Sequence, residues 1–494
     1  MFQQIHVGSR PDRHKLVAEY DAEKIVYTLE HERFQASLLQ RCPVNLWPGA
    51  AHETACPRPI LIHEMHQQQL AELHEALTAG ITDIVERWWT DRDARFPERM
   101  PLEKQEEDLL RWIDDQVSKN KILRYRECRG SWRPDFLVED KMDENGRKME
   151  NFRITEINAR FSFNAFVLGT LAHEGLQDMG VGHNGLKCAT DPAKLLDGTI
   201  SLFQPDLPLH LLKGERKGMD IHMLLHIVRQ RFGLTPRLIT PAQLRLLPPT
   251  HSSDGYRLCC VVEETDKFLH GPSALLTSKG EVVEVIQQVG LELHQSELLA
   301  LEPEMLRQIS LRCFNDMRSI LLTHDKRMLG ILKQEIPSLV ARSVITRAQA
   351  QTLDQGIAET ILPGSRDLER LVLLSMGSPG LREKYLLKPI RSGKGAGIVF
   401  GDEFGPEEWI SALQLQLKPQ VVAGASCVVQ RRITPRLYDF VLNSSGVHVC
   451  YPLIGTYFVV HGRLLGLGGW RSSPDKICAV SHGGSWICSV MYED

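Results

Sequence analysis

Two carboxylates and an amide oxygen stand at spacings that could hold a divalent cation. In RPDFLVED, Asp135 follows Arg133 by two positions, and in RITEIN, Glu156 precedes Asn158 by two. Side chains two apart in a strand share a face, so pairing the two segments would gather Asp135, Glu156 and Asn158 into an oxygen-only ligand set. Such a set suits Mg²⁺, which keeps waters and takes one or two carboxylates beside nucleotide phosphates. Arg133, on the same face, could hold a phosphoryl oxygen or a substrate carboxylate by a two-pronged contact. The short pattern E-x-N recurs by chance, and only the combination has weight.

A second group lies in YLLKPIRSGKGAGIVF. Leu386, Lys388 and Ile390 share one strand face, which aims Lys388 among apolar neighbours. Beyond it, Ser392, Gly393, Lys394, Gly395 and Gly397 make a turn whose backbone N–H groups could cover a polyphosphate. This is not the GxxxxGK[ST] phosphate loop, because it joins strand to strand. An ordinary flexible hairpin is an equal reading of the loop alone. Gln430, at a strand end in CVVQRRI, could present backbone groups to an adenine edge, and Arg471, beyond a glycine run, could reach a phosphate. Each taken singly reads more readily as a surface charge or turn residue. His324, Asp325 and Lys326 resemble a charge relay only superficially, because triads are assembled from distant segments. HEMHQQQLAELHEAL places Gln67 where HExxH needs its second histidine, and it reads as a solvated helix face.

The elements that must position these residues follow from periodicity. Residues 63 to 120 carry apolar positions at three- and four-residue intervals, which predicts two or three amphipathic helices. From 135 the period becomes two, predicting an antiparallel hairpin whose loop contains Asn145 and Gly146. Helical and mixed stretches fill 165 to 235, CCVVEE and EVVEVI read as short strands, and helices resume from 296 to about 360. The last 110 or so residues read as strands with a helix near 406 to 416, giving an α+β architecture on antiparallel sheets. Four regions are expected: a mainly helical 1–120, the metal-binding hairpin in 121–170, a substrate-binding region 171–340, and a nucleotide-binding subdomain 341–494.

Composition narrows the class. With 494 residues, 43% hydrophobic and 24% charged, the chain can build several packed cores. Its 58 basic and 62 acidic residues leave a formal charge of −4, which argues against nucleic acid as a partner. No apolar run suggests a signal peptide or membrane span, and a cytoplasmic protein is expected. The 11 scattered cysteines, with no CxxC, suggest neither a disulfide framework nor a zinc ribbon.

With these pieces together, the chain resembles the ATP-grasp superfamily, and within it the circularly permuted branch typified by the synthetase domain of glutathionylspermidine synthetase. The order of motifs carries the resemblance: Arg133-Pro134-Asp135 and Glu156-Ile157-Asn158-Ala159 come more than two hundred positions before Lys388-Pro389-Ile390 and its glycines. The resemblance implies an ATP-grasp fold clamping ATP between antiparallel sheets, with Mg²⁺ on Asp135, Glu156 and Asn158. It also implies an arginine, here Arg471, near an acyl phosphate. The implied reaction joins a small carboxylic acid to an amino acid or other amine in an amide bond, with ADP released. Two alternatives are a nucleotide-binding regulatory protein that has lost turnover and a phosphotransferase that stops at a phosphorylated acid. The chain departs from the branch at Arg160, where an acidic residue commonly follows E-x-N-A. A second nucleotide-binding lysine upstream of Lys388 has no secure match, with Arg342 and Arg347 as guesses. No amidase module precedes the ligase motifs.

Overall fold

Alternation of large apolar with polar residues in Ser131–Met142 puts Trp132, Phe136 and Val138 on one face and Arg133 and Asp135 on the other. In the computed structural model this strand pairs antiparallel with Lys148–Asn158, forming the hairpin expected around Asn145 and Gly146. The structure describes the chain except residues 9–12, 21, 143–144, 161–162, 216–220, 249–254, 263–273, 278, 394, 423 and 494. Among the described residues, the hairpin forms one edge of a nine-stranded sheet. From the other edge inward come Lys15–Leu16, Gln3–His6, Ala55–Leu61, Ser485–Tyr492, Arg463–Ser472 and Ile454–Val460, with Leu186–Cys188 beside Ser485–Tyr492. All these pairings are antiparallel except that of Ala55–Leu61 with Ser485–Tyr492.

A separate four-stranded antiparallel sheet is ordered Thr360–Ile361, Cys427–Arg431, Tyr385–Pro389, Val399–Phe400. Helices Arg366–Gly377 and Pro406–Leu415 cover it, burying Leu368, Leu371, Trp409 and Leu413 in a small core of its own. The main sheet is packed on helices Glu64–Glu86, Lys104–Ser118 and Arg327–Ala341. Two further sheets are a parallel three-stranded one built on Leu209–Lys213 and an antiparallel four-stranded one containing Arg257–Val261.

Three expectations change. The N-terminal region is helical over most of its length, yet it also supplies three strands to the main sheet. The last 154 positions do not act as one nucleotide-binding unit. Strands from 454 onward pair with the hairpin of Ser131–Met142 and Lys148–Asn158, because Ile454 and Thr456 lie opposite Leu137 and Asp135. The histidine-rich helix Glu64–Glu86 is not a solvated face: His66 is buried against Glu150 at 3.0 Å, and the buried His74 lies 2.9 Å from the Gly462 carbonyl. Among the described residues no helix is long and apolar enough to cross a membrane.

Candidate active site

The hairpin register sets Asp135 directly opposite Glu156 and Arg133 opposite Asn158. A bulge falls between Asp135 and Phe136, where Thr155 is the additional residue. Its effect is specific. Ile154 and Ile157 both lie in the core, so the strand skips a beat and Glu156 turns to the face that Asp135 occupies. The bulge also releases the Thr155 carbonyl from the ladder, and it accepts hydrogen bonds of 3.1 Å from both Lys388 Nζ and Gln430 Nε2. The small sheet is thereby tied to the hairpin of Asp135 and Glu156.

Glu156 is the electrostatic centre. Its Oε2 lies 3.4 Å from Lys388 Nζ and 3.5 Å from Lys326 Nζ. Burial alone would raise its carboxyl, but Lys388, Lys326, Arg471 and Arg133 together hold it well below the usual carboxylate range. Burial lowers the Lys388 ammonium from its ordinary value, and Glu156 opposes that shift. Beside this group, Arg471 Nη2 donates to Asp135 Oδ2 at 2.7 Å, and Arg133 Nε lies 3.4 Å from Asp135 Oδ1. The Arg471 guanidinium, which burial alone would lower, is raised by Asp135.

All of these side chains except Lys326 line a cavity of about 1070 Å³. Of the residues singled out in the sequence, Arg133, Asp135, Glu156, Asn158, Lys388, Ser392, Gly393, Gly395 and Arg471 line it. Gly395 has φ +76°, and a Cβ there would come within 2.3 Å of Ile477 Cγ2, so the turn requires a glycine. Gly397 is not part of the lining, and Lys394 lies outside the described residues. Gln430 does not line the cavity either. It sits buried within its strand, its amide donating to Thr155 O and Thr360 Oγ1.

Lys326 is the residue that sequence reasoning missed. Its ammonium donates to the Ser392 carbonyl at 2.5 Å, and its backbone N–H donates to the Ile390 carbonyl at 3.1 Å, so it is bound to the strand of Lys388 as well as to Glu156. It follows a buried π-helical turn, Ser319–Thr323, anchored by the Tyr125 hydroxyl at 2.9 Å from Ser319 Oγ and 2.7 Å from Thr323 Oγ1. The helix that follows, Arg327–Ala341, approaches Thr360 closely at Gly330, where a Cβ would meet the Thr360 carbonyl at 2.6 Å. Arg342 instead pairs with Asp83 at 3.2 Å, and Arg347 opens the helix Arg347–Gly356. The place of Lys326 in the run HDKRML, just ahead of a helix, carries no local mark of this role. In the same corner His324 Nδ1 accepts from the Ala159 N–H at 3.2 Å, and burial, then Arg160 and Lys326, push its imidazole well below the usual range. Arg160 lies 3.2 Å from His324 Nε2 and donates to Gln295 Oε1 at 2.6 Å. Burial and then Arg391 bring its guanidinium down to about 10.

Comparison with known proteins follows this geometry. The AnkG N-terminal domain family matches residues 73–322. The ATP-grasp enzyme ankG of Aspergillus thermomutatus is 35% identical over 441 residues, spanning 89% of this chain and 89% of its own. The apo structure of a glutathione synthetase-like effector (GSS30) from Globodera pallida covers 96% of this chain and 98% of its own with a TM-score of 0.52. At 11% identity that likeness is one of fold.

Proposed function

We propose, because this chain belongs to the ATP-grasp family that includes ankG and has an ATP-grasp-type fold, that it is an ATP-dependent ligase. In this reading it couples a small carboxylic acid to an amino acid or other amine, as specialised metabolism would use. The observation that carries the reading is the convergence of two ammonium groups, from segments 62 positions apart, on the single carboxylate of Glu156 at the wall of a large cavity. The cavity volume lies at the upper end of what small-molecule sites span, about 300–1000 Å³, as a nucleotide plus substrates requires.

The donor set fits Mg²⁺. Asp135, Glu156 and Asn158 offer oxygen atoms on one face, and Asp135 Oδ1 is buried yet accepts no hydrogen bond among the described residues. Mg²⁺ held there would neutralise charge on the nucleotide phosphates. The chain's own residues do the rest by position and charge. Lys388 and Lys326 would bind phosphate oxygens across the mouth of the glycine turn, while Gly393 and Gly395 let its backbone close over them. Arg133 and Arg471 would hold the transferring phosphoryl group against the substrate carboxylate. A carboxylate oxygen then attacks the γ-phosphorus and ADP leaves. The amine nitrogen next attacks the acyl carbon, inorganic phosphate leaves, and the nitrogen's proton passes to phosphate or solvent.

The test supplies purified protein with ATP, Mg²⁺ and pooled acids and amines, reads ADP release, and identifies the product by mass. An amide formed in step with ADP is the expected result. A phosphorylated acid without amide would indicate a phosphotransferase instead, and no ADP with any pool would indicate a regulatory nucleotide-binding protein.

A further inference from the structure

Away from the cavity, three side chains of different chemistry converge where two sheets meet. His210 lies in Leu209–Lys213, at the centre of the parallel sheet, and is fully buried. Cys260 and Glu284 are cross-strand partners in the neighbouring antiparallel sheet. One ligand atom from each of the three lies within 4.8 Å of the other two. His210 Nε2 is 2.6 Å from Glu284 Oε1, and Glu284 Oε2 is 2.5 Å from Arg237 Nη1, Arg237 being the strand partner of His210.

We propose that His210, Cys260 and Glu284 bind a zinc ion that clasps the two sheets together. Imidazole, thiolate and carboxylate are a zinc donor set, and three protein ligands leave a fourth position for water. Bonds of about 2.0–2.3 Å set tetrahedral ligand atoms roughly 3.5 Å apart, so His210 Nε2 and Glu284 Oε1, now 2.6 Å apart, would separate while the thiol draws in, shifts of the order that side-chain rotation supplies. Arg237 on the far carboxylate oxygen is the kind of outer partner that orients a ligating glutamate. A hydrogen-bonded His–Glu–Arg chain accounts for less. It uses His210, Glu284 and Arg237 and gives the Cys260 thiol no part, although its sulfur lies within 4.8 Å of a ligand atom of both His210 and Glu284. A thiol carries its proton at neutral pH in the absence of metal. Binding would expel that proton to solvent as the Zn–S bond forms, with no change of oxidation state. None of the three residues lines the cavity of Glu156 and Lys388, so the site is separate from the proposed ligase reaction.

The experiment uses the untagged full-length protein, reduced and dialysed against zinc and then against metal-free buffer. One tightly held zinc per chain is expected, with about one proton released on binding, and the cobalt-substituted protein should show thiolate-to-cobalt absorption in the near ultraviolet. Cys260→Ser should abolish that band, and His210→Gln should weaken zinc at least tenfold. Cys450→Ser, on an exposed cysteine, should change neither. Zinc-free wild-type protein after this treatment, cobalt protein without the thiolate band, or a band that survives in Cys260→Ser would each overturn the proposal. If the variants fail to fold, the wild-type cobalt spectrum and a competitive chelator titration decide it alone.

Discussion

The hairpin that carries Asp135 and Glu156 and the strand that carries Lys388 face one cavity but are held in opposite ways. The hairpin belongs to a nine-stranded sheet whose apolar face, with Trp132, Phe136, Phe152 and Ile154, merges into the largest core of the molecule. Lys388 sits on a four-stranded sheet with its own small core, and it reaches the hairpin through polar contacts to Glu156 and Thr155. A well-packed wall resists displacement, whereas a small unit joined by charges and a few hydrogen bonds can shift at modest cost. The difference suits a fixed set of oxygen ligands opposed by a cover that closes on the nucleotide.

Substitutions can break this contrast. Glu156→Gln should have the largest effect, lowering the rate of ADP formation by about 10²–10³-fold or more while circular dichroism stays native, since it removes the charge on which both lysines converge. Lys388→Met should follow at about 10²-fold, with Lys326→Met comparable if the two ammonium groups share the phosphates. Near-normal turnover in Lys326→Met would reduce that residue to a structural partner of Ser392.

The same carboxylate predicts a pH dependence. Its folded value is depressed, so its contribution to stability is complete above the unfolded carboxyl value of about 4.3 and is lost progressively as pH falls from there toward the folded one. Acid titration followed by fluorescence should therefore show that stability falls less steeply below about pH 4.3 in Glu156→Gln than in the wild type.

Smaller effects should separate cover from wall. Gly395→Ala, which meets both a positive φ and Ile477, should raise the KM for ATP more than it lowers kcat, because it distorts the turn and leaves Asp135 and Glu156 in place. Gln430→Leu should cost about 1 kcal/mol in thermal or denaturant unfolding, through the lost bonds to Thr155 and Thr360, with little change in chemistry.

Much of the site was legible in local spacing. Arg133 and Asp135 fall on one strand face, as do Glu156 and Asn158, and the residues of YLLKPI form the strand that presents Lys388. Lys326 was not legible, because a lysine after a histidine and an aspartate before a helix has no period that marks it. Its role comes from Glu156 and Ser392, positions 170 and 66 residues away. His66 was misread for a related reason: a polar helix position looks solvated until Glu150 and Phe2 close over it.

The sequence by itself determined the hairpin of Asp135 and Glu156, the strand of Lys388 and which of their side chains share a face, because side-chain direction repeats every two residues in a strand. Tertiary structure decided the rest. The bulge at Thr155 reverses the alternation just before Glu156, the strand of Ile454–Val460 docks on the hairpin, and Arg471 arrives from more than three hundred positions away to reach Asp135. Those outcomes depend on pairing energies between distant segments and on the charges that burial brings together, and no local pattern encodes them.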